Sequence, residues 1–452
     1  MKKINIAYIG GGSRGWARTL MNDLAIEPAL SGTVRLYDID RESAWKNEKI
    51  GNMFNDAPGA KSFWEYKAVD NLNESLADAD FVIISILPGS FDDMENDVHY
   101  PERYGIYQSV GDTVGPGGIM RAVRGIPMYE KIAQSIKTEC PEAIVITYTN
   151  PMTVLTRTLF SVFPKIKAFG CCHEVFSTQK LLASMLNDMG VAKNVQKDEI
   201  LINVLGINHF TWLDKAEYKG MDLFPIYKKF TEKYYSSGYY PNGTMDDSVF
   251  TSANRVKFDL FRQYGLIAAA GDRHLAEFCP GWYLKNSETA ASWKFKLTTV
   301  RWRKSDLQNR IVKTERLLNG EEKPVIISTG EEGVAIIKAA CGIGSVVSNI
   351  NTKNTGQHGG IPLGAVVETN AIISKDSIKP VNAGRLPRDI ENLVSRHSYN
   401  QESLVQACLD RDRGGILKVF LNDPVVHLSK TDAVELFDVM FNNNLKYFGG
   451  SL

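Results

Sequence analysis

Apolar runs of about four to eight residues alternate with amphipathic stretches through the first 170 positions, and the runs end in glycine, proline or short polar side chains. INIAYIG (from Ile4), TVRLYDID (from Thr33), ADFVIISILPGS (from Ala79), EAIVITYTNP (from Glu142) and KAFG (from Lys167) read as buried strands. Between them, WARTLMNDLA sets Trp16, Leu20 and Leu24 four apart on one helical face, and GIMRAVRGIPMYEKIAQSIKTEC carries a second helical pattern. Such alternation predicts a parallel sheet whose ligands lie beyond the carboxyl ends of the strands. Ser85 to Ser90, residues 111–118 and Asn150-Pro151 are therefore expected to face one crevice.

Gly10-Gly11-Gly12-Ser13-Arg14-Gly15 follows the first strand directly and satisfies G-x-G-x-x-G. Gly10 allows a tight turn, Gly12 a close approach of backbone to pyrophosphate, and Gly15 close packing of helix on strand. The phosphates would rest on free N–H groups at the helix start. Asp38, at the end of the second strand, suits ribose hydroxyls and favours NAD. Gly10, Gly12, Ser13, Gly15 and Asp38 are the expected cofactor contacts. The fold class is α/β: an N-terminal Rossmann-like dinucleotide-binding domain (1–172) and a mixed α+β C-terminal domain (173–452).

In that second part RWRKSDLQNRIVKTERLLNG reads as a long charged helix, NTKNTGQHGGIPLGAVVETNAIIS as a loop with paired strands, and DAVELFDVMFNNNLKYF as an amphipathic helix. Lys plus Arg and Asp plus Glu are 52 each, with no run of like charge, so nucleic acid is not an expected partner. No stretch reaches the roughly 18 apolar residues of a membrane span. The N-terminal apolar run ends in three glycines instead of a cleavage site, and six cysteines in so long a chain make no disulfide framework. The expectation is a cytoplasmic protein with reduced thiols.

Two further segments carry chemistry. KAFG delivers Cys171, Cys172, His173 and Glu174 to the start of a helix, where a thiol's pKa is lowered, and NVLGINHFTW brings His209 out of an apolar strand. GDTVGPGG (111–118) is too rich in glycine for a helix or strand and is expected to pass as a loop over cofactor and substrate, with Asp112 reaching towards them.

The chain resembles the NAD- and divalent-metal-dependent family 4 glycoside hydrolases nearly end to end. The resemblance rests on IAYIGGGS, GDTVGPGGIMRAVR, YTNP, GCCHEV, GINHF, GDRHLAEF and LGAVVETNA, in that order. Cys172-His173-Glu174-Val175 resembles the α-galacturonidase branch. Phosphosugar-cleaving members place basic residues after the fourth strand, where this chain has Asp92, Asp93, Glu95 and Asp97.

The resemblance implies hydrolysis of terminal α-linked galacturonic acid from short oligogalacturonides by redox-assisted elimination: C3 oxidation by NAD, C2 deprotonation, loss of the C1 group, addition of water and return of the hydride. It implies Mn²⁺ on Cys172 and His209, although mixed Cys/His ligation also suits Zn or Fe. Asn150 would bind a sugar hydroxyl. His173 would be the leaving-group acid, or else a partner of the metal site, with Glu174 orienting it. Asp272, or the nearby Tyr264, would be the C2 base. Arg273 or Arg121 would hold the uronate. A homodimer or homotetramer is implied as well. Two other readings stay open: an NAD-dependent sugar-acid dehydrogenase, and a family 4 α-galactosidase or α-glucosidase acting on neutral sugars.

Overall fold

The computed structural model describes residues 1–241, 243 and 248–448. The first part forms six strands: β1 (Lys2–Ile9), β2 (Leu30–Tyr37), β3 (Trp64–Ala68), β4 (Phe81–Ile84), β5 (Ile144–Thr147) and β6 (Lys167–Gly170). They run parallel in the order β3-β2-β1-β4-β5-β6. Every side chain of β4 and β5 is buried, because helices cover both faces of the sheet; that is why these strands read as unbroken apolar runs.

The second part contributes β7 (Ile200–Ile207), β8 (Phe210–Tyr218), β9 (Met221–Asp222), β10 (Ile267–Ala268), β11 (Val346–Lys353), β12 (His358–Gly359), β13 (Val366–Ser374), β14 (Ser377–Pro380) and β15 (Gly384–Arg385). Three of these, β11, β13 and β14, continue the first sheet in antiparallel sense, β11 joining β6 through the Asn351–Gly170 pair. The hairpin β7–β8, with β9 and β10, forms a separate antiparallel sheet. One face of the large sheet packs on helices Gly115–Glu139, Met152–Val162 and three helices from 388 to 442; the other packs on Trp16–Ile26, Arg41–Met53 and Gly333–Ala340. The two parts thus share one sheet and its cores, with the crevice at the carboxyl ends of β1 and β4.

Three expectations change. GDTVGPGG is a loop only as far as Val114; Gly115, Pro116, Gly117 and Gly118 open the 25-residue helix Gly115–Glu139 and are all buried. Proline near a helix start lacks only an N–H that would have no intrahelical partner, so it is compatible there. The segment around His209 is a hairpin, not a single strand: Asn208 and His209 form its tip, and His209 has φ +65°. The acidic stretch after β4 is the helix Phe91–His99, and its carboxylates are used structurally. Asp97 is buried in an ion pair with Arg124, Asp93 accepts from Lys446 Nζ at 2.7 Å, and Lys304 Nζ lies 2.9 Å from Asp92 and 3.4 Å from Glu95.

Candidate active site

The glycine loop turns sharply after β1. Gly10 has φ +94°, and a Cβ there would stand 2.1 Å from the Ser85 carbonyl oxygen, so only glycine lets β1 and β4 come together at this point. Gly10 and Gly11 donate to the Tyr37 carbonyl at 2.9 Å each, and Gly12 donates to Asp38 Oδ2 at 2.8 Å. Asn47 Nδ2 holds the loop from below through the carbonyls of Gly11 (2.8 Å) and Ser13 (2.9 Å). The helix Trp16–Ile26 begins with no side-chain cap and no acidic residue in its first turn, which leaves its N–H groups open to an anion. Arg310, from the helix Val300–Leu318, brings Nη1 to 2.8 Å from where a Gly15 Cβ would be.

Across the crevice Asp112, His209 and His274 bring one ligand atom each to within 4.8 Å of one another, all three side chains buried. The His209 and His274 rings stack with centroids 3.8 Å apart. Thr113 Oγ1 lies 2.9 Å from Asp112 Oδ1 and 2.8 Å from His209 Nδ1. A hydroxyl has one proton and an ionised carboxylate can only accept, so Thr113 donates to Asp112 and accepts from His209 Nδ1–H. That fixes the tautomer and leaves the His209 Nε2 lone pair free. Burial and the neighbouring His209 lower His274 to about 3, and burial lowers His209 despite nearby Asp112 and Glu174, so both rings are neutral near pH 7. Burial raises the Asp112 pKa, but Arg121 and the two imidazoles outweigh it and hold the carboxyl well below its usual range. His274 Nδ1 is buried without a hydrogen-bond partner. Two neutral imidazoles, one with an orphaned ring nitrogen, and an ionised carboxylate form a donor set that fits a divalent cation.

The other expected residues divide around this cluster. The Cys172 thiol is not among its three donors. It lies beside Asn208 and Glu368, and burial, Glu368 and Glu174 push its pKa well above the ordinary value, overriding the lowering expected at a helix start. Asp272 is fully buried, and its carboxylate faces the N–H groups of Val256 (3.3 Å) and Lys257 (3.2 Å), so it caps the helix Arg255–Tyr264. Tyr264 packs edge-on against Trp212 at 5.8 Å. Neither candidate for the C2 base joins the cluster. Arg273 donates to Thr298 Oγ1 at 2.5 Å and lies over the Phe250 ring, so its guanidinium is already engaged. Asn150 does reach the cluster: Nδ2 is 3.3 Å from Asp112 Oδ2, while Oδ1 is buried and unpartnered. His173 precedes the helix Glu174–Asp188, its side chain 46% exposed and its ring 5.7 Å from Trp16. Glu174 accepts from Gly271 N at 2.7 Å, and its Oε1 stands 3.5 Å from His274 Nε2 and 4.0 Å from His173 Nε2, between the two rings.

The family 4 glycosyl hydrolase model matches residues 5–188, and the model of that family's C-terminal domain matches residues 204–426. The chain belongs to the family 4 glycosyl hydrolases. Four relatives named α-galacturonidase are 50–59% identical to it; that of Thermoanaerobacterium saccharolyticum is 59% identical, with 99% of this chain and 97% of the relative aligned. The crystal structure of the Bacillus subtilis protein lplD is 52% identical, covers 97% of this chain and 100% of its own, and superposes with a TM-score of 0.94. The 6-phospho-β-glucosidase of Thermotoga maritima, solved with manganese, NAD⁺ and glucose-6-phosphate, is 19% identical with a TM-score of 0.78 over 99% of each chain, a likeness of fold.

Within this family 4 chain several contributors lie in motifs that do not single them out, or outside any motif. Thr113 sets the His209 tautomer from inside a glycine-rich segment. Arg310 arrives from nearly 300 residues away. Glu368, on β13, is raised to about 7 by burial even though it accepts from Asn349 Nδ2 at 2.7 Å and from Asn208 Nδ2 at 3.2 Å. His274 stood beside the expected Asp272 in GDRH and is the residue of that segment that reaches the cluster. Its signal is an imidazole in the first turn of the helix Asp272–Phe278.

Proposed function

We propose that this chain removes terminal α-linked galacturonic acid from short oligogalacturonides as an NAD- and Mn²⁺-dependent family 4 enzyme, another divalent ion serving in place of Mn²⁺. The observation that carries the reading is the identity of 50–59% to relatives named α-galacturonidase over nearly the whole chain. The B. subtilis α-galactosidase, named for a neutral sugar, is 28% identical over 98% of this chain, which places the neutral-sugar reading second.

NAD fits the crevice above Gly10 to Gly15, where Gly12, Ser13 and Asp38 line the turn, and the divalent ion fits Asp112, His209 and His274. Bound there, the pair supplies a reversible hydride acceptor and Lewis acidity at the sugar oxygens. The chain's own residues do the rest. Asn150 binds a sugar hydroxyl through its unpartnered Oδ1. His173, half-exposed beside Glu174, holds the proton for the glycosidic oxygen. Asp112 and Glu174, both strongly acidic here, are poor bases and good partners for cations, so the C2 base is to be sought among other groups lining the cluster, not at Asp272 or Tyr264. Residues 1–172 hold the cofactor and 173–452 complete the substrate site.

An aryl α-galacturonide assayed in D₂O with NAD and Mn²⁺ tests this. Phenol release without accumulating NADH, abolished by chelator and restored by Mn²⁺, with deuterium at C2 of the product, is the expected result. Accumulating NADH without phenol would replace the reading with a sugar-acid dehydrogenase. A homodimer or homotetramer in the cytoplasm belongs to the same proposal, and sedimentation reads the assembly. Among the described residues no helix is long and apolar enough to cross a membrane.

A further inference from the structure

Three guanidinium groups stand around the metal-fitting cluster: Arg303 acts on both Arg121 and Arg273, and all three act on Asp112. Asp112, Glu174 and Glu277 face them, and Asp97 acts on Arg121 from its own pair with Arg124. The three arginines are not equally occupied. Arg273 is held by Thr298 and covered by Phe250. Arg121 spends Nε on the Asn150 carbonyl at 2.9 Å, while its Nη1 is buried without a partner. Arg303 has a buried, unpartnered Nε. Among the described residues neither Arg121 nor Arg303 makes an ion pair. A buried guanidinium N–H left unpaired costs free energy unless something fills the space, and the ligand that best fits two such groups is a planar anion.

The place of Arg303 in the fold says which anion. It lies in the first turn of the helix Val300–Leu318, whose start is tied to the segment before Gly111: Thr298 N donates to Ser109 O at 2.7 Å, and Val300 N donates to His99 Nε2 at 3.2 Å. Arg310 lies seven residues further along the helix, roughly 10 Å at 1.5 Å per residue, and reaches the glycine loop. One helix thus reaches two places, with Arg310 at the glycine loop and Arg303 near Asp112 and Arg273.

We propose that Arg303, together with Nη1 of Arg121, clamps the C6 carboxylate of galacturonic acid, and that Arg303 makes the site prefer a uronate to the neutral sugar. This rests on the galacturonidase reading above. The planar fork of a guanidinium matches a carboxylate in a way that an ammonium does not.

The test compares kcat/KM for an aryl α-galacturonide with that for the matching aryl α-galactoside, which differs only at C6, using the NAD- and Mn²⁺-loaded enzyme. Arg303→Met is expected to lower the galacturonide-to-galactoside ratio about 30-fold, mainly through the galacturonide KM, as the loss of a charged hydrogen-bond partner does. Arg303→Lys, which keeps the charge and loses the fork, should fall between Met and wild type. Should the Met variant not fold, Arg303→Gln makes the same comparison. A ratio within threefold of wild type, or an equal fall for both substrates, overturns the clamp while leaving the galacturonidase reading intact. A wild type that prefers the aryl 6-phosphogalactoside overturns it too. A wild type inert towards the galacturonide sinks the reading, and the clamp with it.

Discussion

Two glycine-rich segments open two helices on opposite faces of the same sheet, Gly10–Gly15 before Trp16–Ile26 and Gly111–Gly118 into Gly115–Glu139, and the glycines at the two helix starts serve opposite ends. At the first, a Cβ on Gly15 would meet only Arg310 Nη1 at 2.8 Å, the far end of a flexible side chain, and the helix start carries no side-chain cap. At the second, a Cβ on Gly118 would stand 2.5 Å from the Thr113 carbonyl carbon and one on Gly117 2.7 Å from the Gly111 oxygen, both rigid backbone. There the N–H groups are already taken: Gly117 donates to Gln108 Oε1 at 2.8 Å and Gly115 to Asp423 Oδ2 at 3.2 Å. The first helix start is left open for a ligand's anion; the second is closed by the protein's own. Glycine content marks close approach, and only the third dimension says what approaches.

That contrast breaks most visibly at Gly118. Gly118→Ala should cost ~3 kcal/mol or more, because neither the helix nor the loop can move aside, and urea denaturation reads the loss. A variant as stable as wild type would show that the helix start is slack and that the glycines serve something else.

Asp423 sharpens the electrostatic half of the comparison. Burial raises its pKa to about 6 from the ordinary 3.8. Between those values the folded protein binds more protons than the unfolded chain, so stability contributed by this group is present at low pH and is lost as pH rises from about 4 to about 6. The loss amounts to ~3 kcal/mol. Subtracting the pH profile of Asp423→Asn from that of wild type should isolate it, and coincident profiles would mean the carboxyl is not perturbed at the helix start.

Smaller effects belong to the first segment. Arg310→Ala is expected to weaken NAD binding about tenfold in a fluorescence titration, with the unfolding midpoint nearly unchanged, as the loss of one charged contact to an anion does. Unaltered affinity would sever Arg310 from the cofactor. Gly15→Ala should move stability by under ~1 kcal/mol, since Arg310 can swing away, and should raise the NAD dissociation constant a few-fold. A stability loss as large as that of Gly118→Ala would erase the distinction between the two segments.

Much of the fold was legible because its signals are local. The runs in β1, β4 and β5, the four-residue spacing of Trp16, Leu20 and Leu24, and the turn after Gly10 all lie within a few residues of the structure they specify. His209 was legible as chemistry but not as geometry: φ +65° at a hairpin tip is uncommon for a histidine, and the apolar run signalled a strand delivering it, not the hairpin that turns there. Asp272 was legible as a motif carboxylate but not as a partner of a helix start. A carboxylate inside a motif looks available until the N–H groups of Val256 and Lys257, 16 and 15 residues upstream, are seen to take it.

The sequence by itself determined most of the first part of this protein, five of its six parallel strands and the glycine turn after β1, because backbone conformation and side-chain periodicity are set by neighbours along the chain. Only the tertiary structure decided which side chains meet: that His274 stacks on His209, that Thr113 selects the tautomer, that Cys172 lies against Glu368 instead of joining Asp112, and that Arg303 is left with an N–H to offer. Those meetings depend on β11 and β13 joining the sheet beside β6, and on helices from distant segments closing over its edge. Burial then sets each group's charge, a quantity that no spacing along the chain encodes.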